Sequence, residues 1–135
     1  MTIEAGQPVP QATFQIKTED GVAAHDSTSY FAEGRTVLFS VPGAFTPTCS
    51  AKHLPSFIEH YDSVVAAGVD RIACLSVNDP HVMKIWGEQN GATGKIDMLA
   101  DPLGDLSRRS ACWSLWVRCW VSVQPARRSS LMMVW

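Results

Sequence analysis

Cys49 lies in the run "VPGAFTPTCSAKH" (residues 41–53), behind two prolines and two threonines. A thiol attacks only as its thiolate, and an ordinary pKa near ~8.5 leaves it mostly protonated at neutral pH. The first turn of a helix offers unpaired N–H groups and the positive end of a dipole, and both favour an anion. Pro42 and Pro47 restrict the approach, Gly43 admits dihedrals that other residues resist, and Thr46 and Thr48 bring hydroxyls near the sulfur. The same stretch also fits a capped helix with a small buried residue, because cysteine is often simply core. Local physics leaves both readings open.

The other candidate ligands and nucleophiles are weaker. His53 stands four residues after Cys49 and suggests a Cys/His metal pair. Two ligands without two more make a poor zinc site. His25, His60 and His81 read as surface or packing residues. Cys74 sits in the apolar run "IACLSV" and reads first as a core thiol. Together with Cys112 and Cys119, these cysteines show no paired CxxC spacing for zinc or a disulfide framework.

These side chains need a scaffold, and the hydrophobic pattern supplies one. "TFQIKTEDGV" alternates apolar and polar residues into Asp20-Gly21, a strand running into a hairpin turn. "RTVLFSV" (35–41), "DRIACLSV" (70–77) and "KIDMLADP" (95–102) are compact apolar runs typical of buried strands. Residues 50–67 show helical spacing and stop at Gly68, with Pro55 predicting a kink or an irregular first turn. Asn78-Asp79-Pro80 predicts a cap and an N-terminal proline for a helix through Trp86 and Gln89. "LGDLSRR" (103–109) begins one more helix. Strands alternating with helices over short links imply crossover connections and a mainly parallel sheet. In such α/β sheets, chemistry gathers at the carboxyl ends of strands. Cys49 falls at such an end.

The bulk properties fit one domain of 135 residues with a single core. A net charge of −2 with no basic stripe argues against nucleic-acid binding. The N-terminus shows no basic start followed by an apolar run, and no stretch reaches a membrane span. The cysteines are therefore expected to be reduced thiols in the cytoplasm.

The run "VPGAFTPTCSAKHLPSF", with Pro42, Thr46 and Cys49 forming P-x-x-x-T-x-x-C, closely resembles the peroxidatic loop of the peroxiredoxins, in particular their type II, peroxiredoxin-5-like branch. The resemblance continues through "GVDRIACLSVNDPHVMKIWG" and "KIDMLADP" and covers residues 3–109. It implies a thioredoxin-like α/β fold, with a central mainly parallel or mixed sheet flanked by helices. It also implies a thiol peroxidase acting on hydrogen peroxide and alkyl hydroperoxides. Cys49 would be the peroxidatic thiolate that becomes a sulfenic acid. Thr46 would hydrogen-bond the peroxide, and Pro42 would shield the sulfenate. No cofactor or metal is implied, and relatives carry a histidine at the position of His53 without metal. The electrons would come from glutathione, glutaredoxin or thioredoxin, and relatives form homodimers. Some type II relatives use a cysteine at the spacing of Cys74 as a resolving partner. If Cys74 is instead inert core, the enzyme is one-Cys, and that is the reading favoured here.

Beyond Arg109 the resemblance stops. Residues 1–109 hold 8 basic and 13 acidic side chains, a net of −5. Residues 110–135 hold three arginines, no acid and four of the five tryptophans. Family members complete the site with an arginine loop and a strand pair turning at Asp-Asp-Gly. Arg108, Arg109, Arg118, Arg127 and Arg128 do not stand in that motif. Back-translating "WVSVQ" (120–124) and reading one base earlier permits Gly-Val-Arg-Ser, a form of the arginine loop. The same shift lets "LMMVW" (131–135) give Asp-Asp-Gly, and "SAC" (110–112) give Leu-Gly-Leu. Residues 110–135 thus look like a frame-shifted end to a redoxin domain at 3–109. The C-terminal strands are expected to be missing or disordered, with a sheet edge uncovered and the chain's activity impaired or lost. A terminal extension or a partner-binding peptide is the bland alternative. A disulfide oxidoreductase is disfavoured, because Lys52 and Thr46 occupy the positions where Cys49 would need a CxxC partner.

Overall fold

The computed structural model describes residues 9–32, 34–41, 43–47, 52, 54–109, 120–123 and 132–133, with the last two segments described by their backbone. The alternating stretch forms β1 (Thr13–Thr18) and β2 (Gly21–Asp26), an antiparallel pair in register from Thr13↔Asp26 to Thr18↔Gly21. Gly21 closes the turn at φ +130°, a backbone state that glycine adopts at little cost. The three apolar runs become β3 (Thr36–Ser40), β4 (Arg71–Ser76) and β5 (Ile96–Ala100), mutually parallel in the order β5-β4-β3. With β1 pairing antiparallel to β5, the sheet is mixed, as expected of a thioredoxin-like α/β fold.

Side chains along the parallel strands divide between two faces at a period of two. Leu38, Ala73, Leu75 and Leu99 join Phe14, Phe31 and Leu106 in one core, while Phe39, Ile72, Cys74 and Ala100 join Leu54, Phe57, Met83 and Trp86 in the other. Both faces of β4 are therefore covered, and this is why its sequence reads as a continuous apolar run. The first core is closed by α1 (Ser27–Tyr30) and α5 (Asp105–Arg109), the second by α2 (Leu54–Glu59), α3 (Tyr61–Ala66) and α4 (Pro80–Gln89). Helix α4 begins as the sequence predicts: Asp79 accepts the His81 N–H at 2.7 Å and Pro80 occupies the first turn. Gly87 lets α4 sit close on β5, since a Cβ there would stand 2.8 Å from Met98 Cγ.

Two features differ from the sequence expectation. The helix expected over 50–67 is interrupted at His60 rather than kinked at Pro55, and the turn before Leu54, where an irregular start was the other expectation, falls largely outside the described residues. Pro55 lies in the first turn of α2, where a missing N–H costs nothing. At His60 the ring Nδ1 stands 2.8 Å from the Ser56 carbonyl that its own backbone N–H also reaches, and the two helices meet there. The second difference concerns the C-terminal strands expected to be missing. The backbone of β6 (Trp120–Val123) pairs antiparallel with β3, and β7 (Met132–Met133) pairs with β6. The order becomes β2-β1-β5-β4-β3-β6-β7, so the β3 edge is covered. Ladder hydrogen bonds join main-chain groups, and a strand can therefore form on an edge whatever motif its side chains lack.

Candidate active-site loop

Strand β3 keeps its alignment with β4 for one residue past its end, because the buried Val41 donates its N–H to the Leu75 carbonyl at 3.0 Å. The chain then leaves the sheet. The Thr46 hydroxyl donates to the Gly43 carbonyl at 2.8 Å, and the Ala44 N–H donates to Asn78 Oδ1 at 2.9 Å. Phe45 sits at φ +62°, unusual for a bulky residue, with its ring half exposed and its centroid 6.5 Å from that of Trp86. The loop thus touches the Asn78 side chain just before α4 and the Trp86 ring within it.

On the far side of Cys49 the chain is fixed by packing. Leu54 is fully buried, and Phe57 stacks on Phe39 of β3 with centroids 3.9 Å apart and planes at 6°. Cys49 and Pro42 lie outside the described residues, as do His53, Cys112 and Cys119. Thr46 is described, half-buried in the loop three residues before Cys49. Its geometry has a chemical consequence. A carbonyl can only accept, so the Thr46 proton is committed to Gly43, and the oxygen turns its lone pairs to any incoming O–H donor.

Cys74 is fully buried in β4, in register with Phe39 on one side and Met98 on the other. The arginines near the end of the described domain are engaged on their own segment. Arg109 pairs with Asp105 at 2.8 Å, and Arg108 donates to the Gly104 carbonyl at 3.1 Å and to that of Leu103. Among the described residues no group of three or more His, Cys, Asp or Glu side chains is arranged to hold a metal ion. No helix of the described residues is long and apolar enough to cross a membrane.

A second polar cluster lies on the opposite face. Tyr30 donates its hydroxyl to Asp97 Oδ2, and the Arg71 guanidinium stands 4.3 Å from the Tyr30 ring centroid while donating to the Tyr30 carbonyl at 2.7 Å. Burial, reinforced by the Asp97 carboxylate, pushes the Tyr30 hydroxyl far above the usual tyrosine range. No local pattern announces this cluster, nor the contact between Asn78 and Ala44, because each joins residues far apart in the chain. The structure assigns the cap of α4 to Asp79 and turns Asn78 towards the loop.

Comparison with known proteins agrees with this geometry. The Redoxin family model matches residues 4–111. Peroxiredoxin-2B of Arabidopsis thaliana is 44% identical over 104 residues, 76% of this chain and 64% of its own length. A Synechocystis peroxiredoxin is 51% identical over 110 residues, 75% of this chain and 58% of its own length. The chain therefore spans less than two thirds of these curated relatives. Reduced Prx3 from Vibrio vulnificus, solved in complex with H2O2, superposes with a TM-score of 0.86 at 37% identity, covering 99% of this chain and 89% of that one.

Proposed function

The chain belongs to the peroxiredoxin branch of the redoxin family, and from that premise we propose that it is a thiol peroxidase built on Cys49. The Cys49 thiolate attacks the distal oxygen of hydrogen peroxide or an alkyl hydroperoxide. The O–O bond breaks, Cys49 becomes a sulfenic acid, and the departing oxide takes a proton to leave as water or an alcohol. Thr46 accepts a hydrogen bond from the peroxide, and Pro42 shields the sulfenate. One observation carries the reading: the loop that leads into Cys49 leaves β3 at its carboxyl end beside β4, with the Thr46 lone pairs free of their own proton. Dimedone trapping after one equivalent of peroxide should label Cys49 and no other cysteine. Label absent from Cys49 contradicts the assignment.

The finer points belong to the same proposal. A Cys74 buried in the middle strand favours a one-Cys cycle. A first glutathione or glutaredoxin thiol then condenses with the sulfenic acid to a mixed disulfide and water, and a second thiol releases Cys49. Thioredoxin is the alternative reductant, and Cys74 as a resolving partner would require β4 to open. A Cys74→Ser variant that stalls turnover with glutathione contradicts the one-Cys cycle. The exposed apolar side chains Phe45, Val82 and Ile85 fit a homodimer through this end of the molecule. Sedimentation of Ile85→Glu as the same dimer as the parent contradicts that surface. Cysteine spacing fits a reducing, cytoplasmic compartment, and a tagged chain found elsewhere contradicts it.

A second reading follows from the tail. If residues 110–135 are a frame-shifted C-terminus after a redoxin domain at 3–109, the chain lacks the family's site arginine and its activity is impaired. Restoring the alternative frame should then raise the peroxide rate severalfold or more. Coding DNA without a shift near codon 109 contradicts this reading.

A further inference from the structure

We propose that Asn78 is the positioning residue that aims the Thr46 hydroxyl at the peroxide. This inference rests on the function proposed above, and three linked contacts carry it. The Asn78 side-chain carbonyl accepts the Ala44 N–H at 2.9 Å. The Gly43 carbonyl accepts the Thr46 hydroxyl at 2.8 Å. That N–H and that carbonyl belong to one peptide unit, between Gly43 and Ala44, which is planar and trans. Holding one end of the plane therefore sets the direction of the other, and the direction of the Gly43 carbonyl sets the Thr46 proton and lone pairs.

The anchor is itself held. Asn78 Oδ1 also accepts the hydroxyl of Ser76 at 2.6 Å, and Ser76 is fully buried at the end of β4. One oxygen thus ties the loop after β3 to the end of the neighbouring strand, across a separation of 34 residues. The peptide needs such a grip. Gly43 makes rotation of the 43–44 plane inexpensive, and a flip would break both hydrogen bonds at once. Phe45 at φ +62° stores strain that persists only where its surroundings over-determine it. Asn78 on one side and Thr46 on the other provide that constraint.

The test compares two reactions of Cys49 in the full chain. Hydrogen peroxide uses the Thr46 oxygen, whereas iodoacetamide needs only the thiolate. The ratio of the two rate constants therefore cancels any change in thiolate population. Asn78→Ala should lower the ratio about 10- to 100-fold, the scale expected when a reacting group is misplaced by around an ångström. Thr46→Val should lower it similarly, and the double variant should lose little more than either single one. Asn78→Asp keeps an acceptor oxygen in place and should restore most of the ratio. An unchanged ratio in Asn78→Ala, or fully additive losses in the double variant, overturns the proposal. Amide exchange at Ala44 supplies an independent readout. It should be slow in the parent, fast in Asn78→Ala while β4 and β5 stay protected, and slow again in Asn78→Asp. A fast Ala44 amide in the parent overturns the tether even if peroxide is consumed. A parent with a slow Ala44 amide and no reaction with peroxide contradicts the proposed function and leaves the tether standing.

Discussion

Two polar side chains follow adjacent parallel strands and do opposite things. Asp101, after β5, is fully buried and spends its hydrogen bonds locally. Its carboxylate accepts the Asp105 N–H at 2.9 Å, the Ser107 N–H at 2.8 Å and the Ser107 hydroxyl at 2.7 Å, all from the start of α5. Asn78, after β4, is half-buried and reaches 34 residues back to a loop. The first closes a helix end on itself and contributes to folding. The second fixes a segment that packing alone leaves strained. The contrast shows that position at a strand's carboxyl end does not by itself make a residue functional. What its hydrogen bonds hold decides that.

This contrast can be broken by substitution. The largest effect is expected from Phe57→Ala, which removes the ring stacked on Phe39 and should cost about 3–5 kcal/mol in urea unfolding. Because α2 follows Cys49 in the chain, it should also disturb the peroxide-to-iodoacetamide ratio. Asp101→Ala strands the Asp105 and Ser107 donors in the core and should cost about 3 kcal/mol. Its ratio should stay at the parent value, and a large fall there would erase the distinction between the two side chains.

Tyr30 sharpens the comparison on the face opposite α2 and α4. Burial and the Asp97 carboxylate keep its proton on in the folded chain, whereas the unfolded chain releases it near the ordinary tyrosine value of about 10. Protons bound more tightly by the folded state make stability fall as pH rises. The Tyr30 contribution is therefore whole below about pH 10 and shrinks above it. Tyr30→Phe should lose about 1–2 kcal/mol at neutral pH and should flatten the alkaline decline. An equally steep decline in the variant contradicts the assignment.

The parallel strands and α4 were legible because their signals are local. Ile72 to Leu75 form an unbroken apolar run since both faces are covered, and Asp79-Pro80 is a cap written in adjacent residues. The single turn α1 carries too few residues for a period to show. The break at His60 escaped notice because Pro55 offered a plausible kink in the wrong place. Strands β6 and β7 escaped it because their pairing is main-chain and owes little to side-chain motif. At the site, the loop residues Pro42, Thr46 and Cys49 were visible as a pattern. The orientation of Thr46 was not, since it depends on Asn78, which has no sequence neighbour to announce it.

In the proposed reaction this loop presents Cys49 for attack on a peroxide. Stopped-flow consumption of hydrogen peroxide by the 135-residue chain, beside Cys49→Ser, tests it most directly. Fast loss of one peroxide equivalent is expected in the parent and none in the variant. Equal consumption by both proteins, or none by the parent, would contradict it.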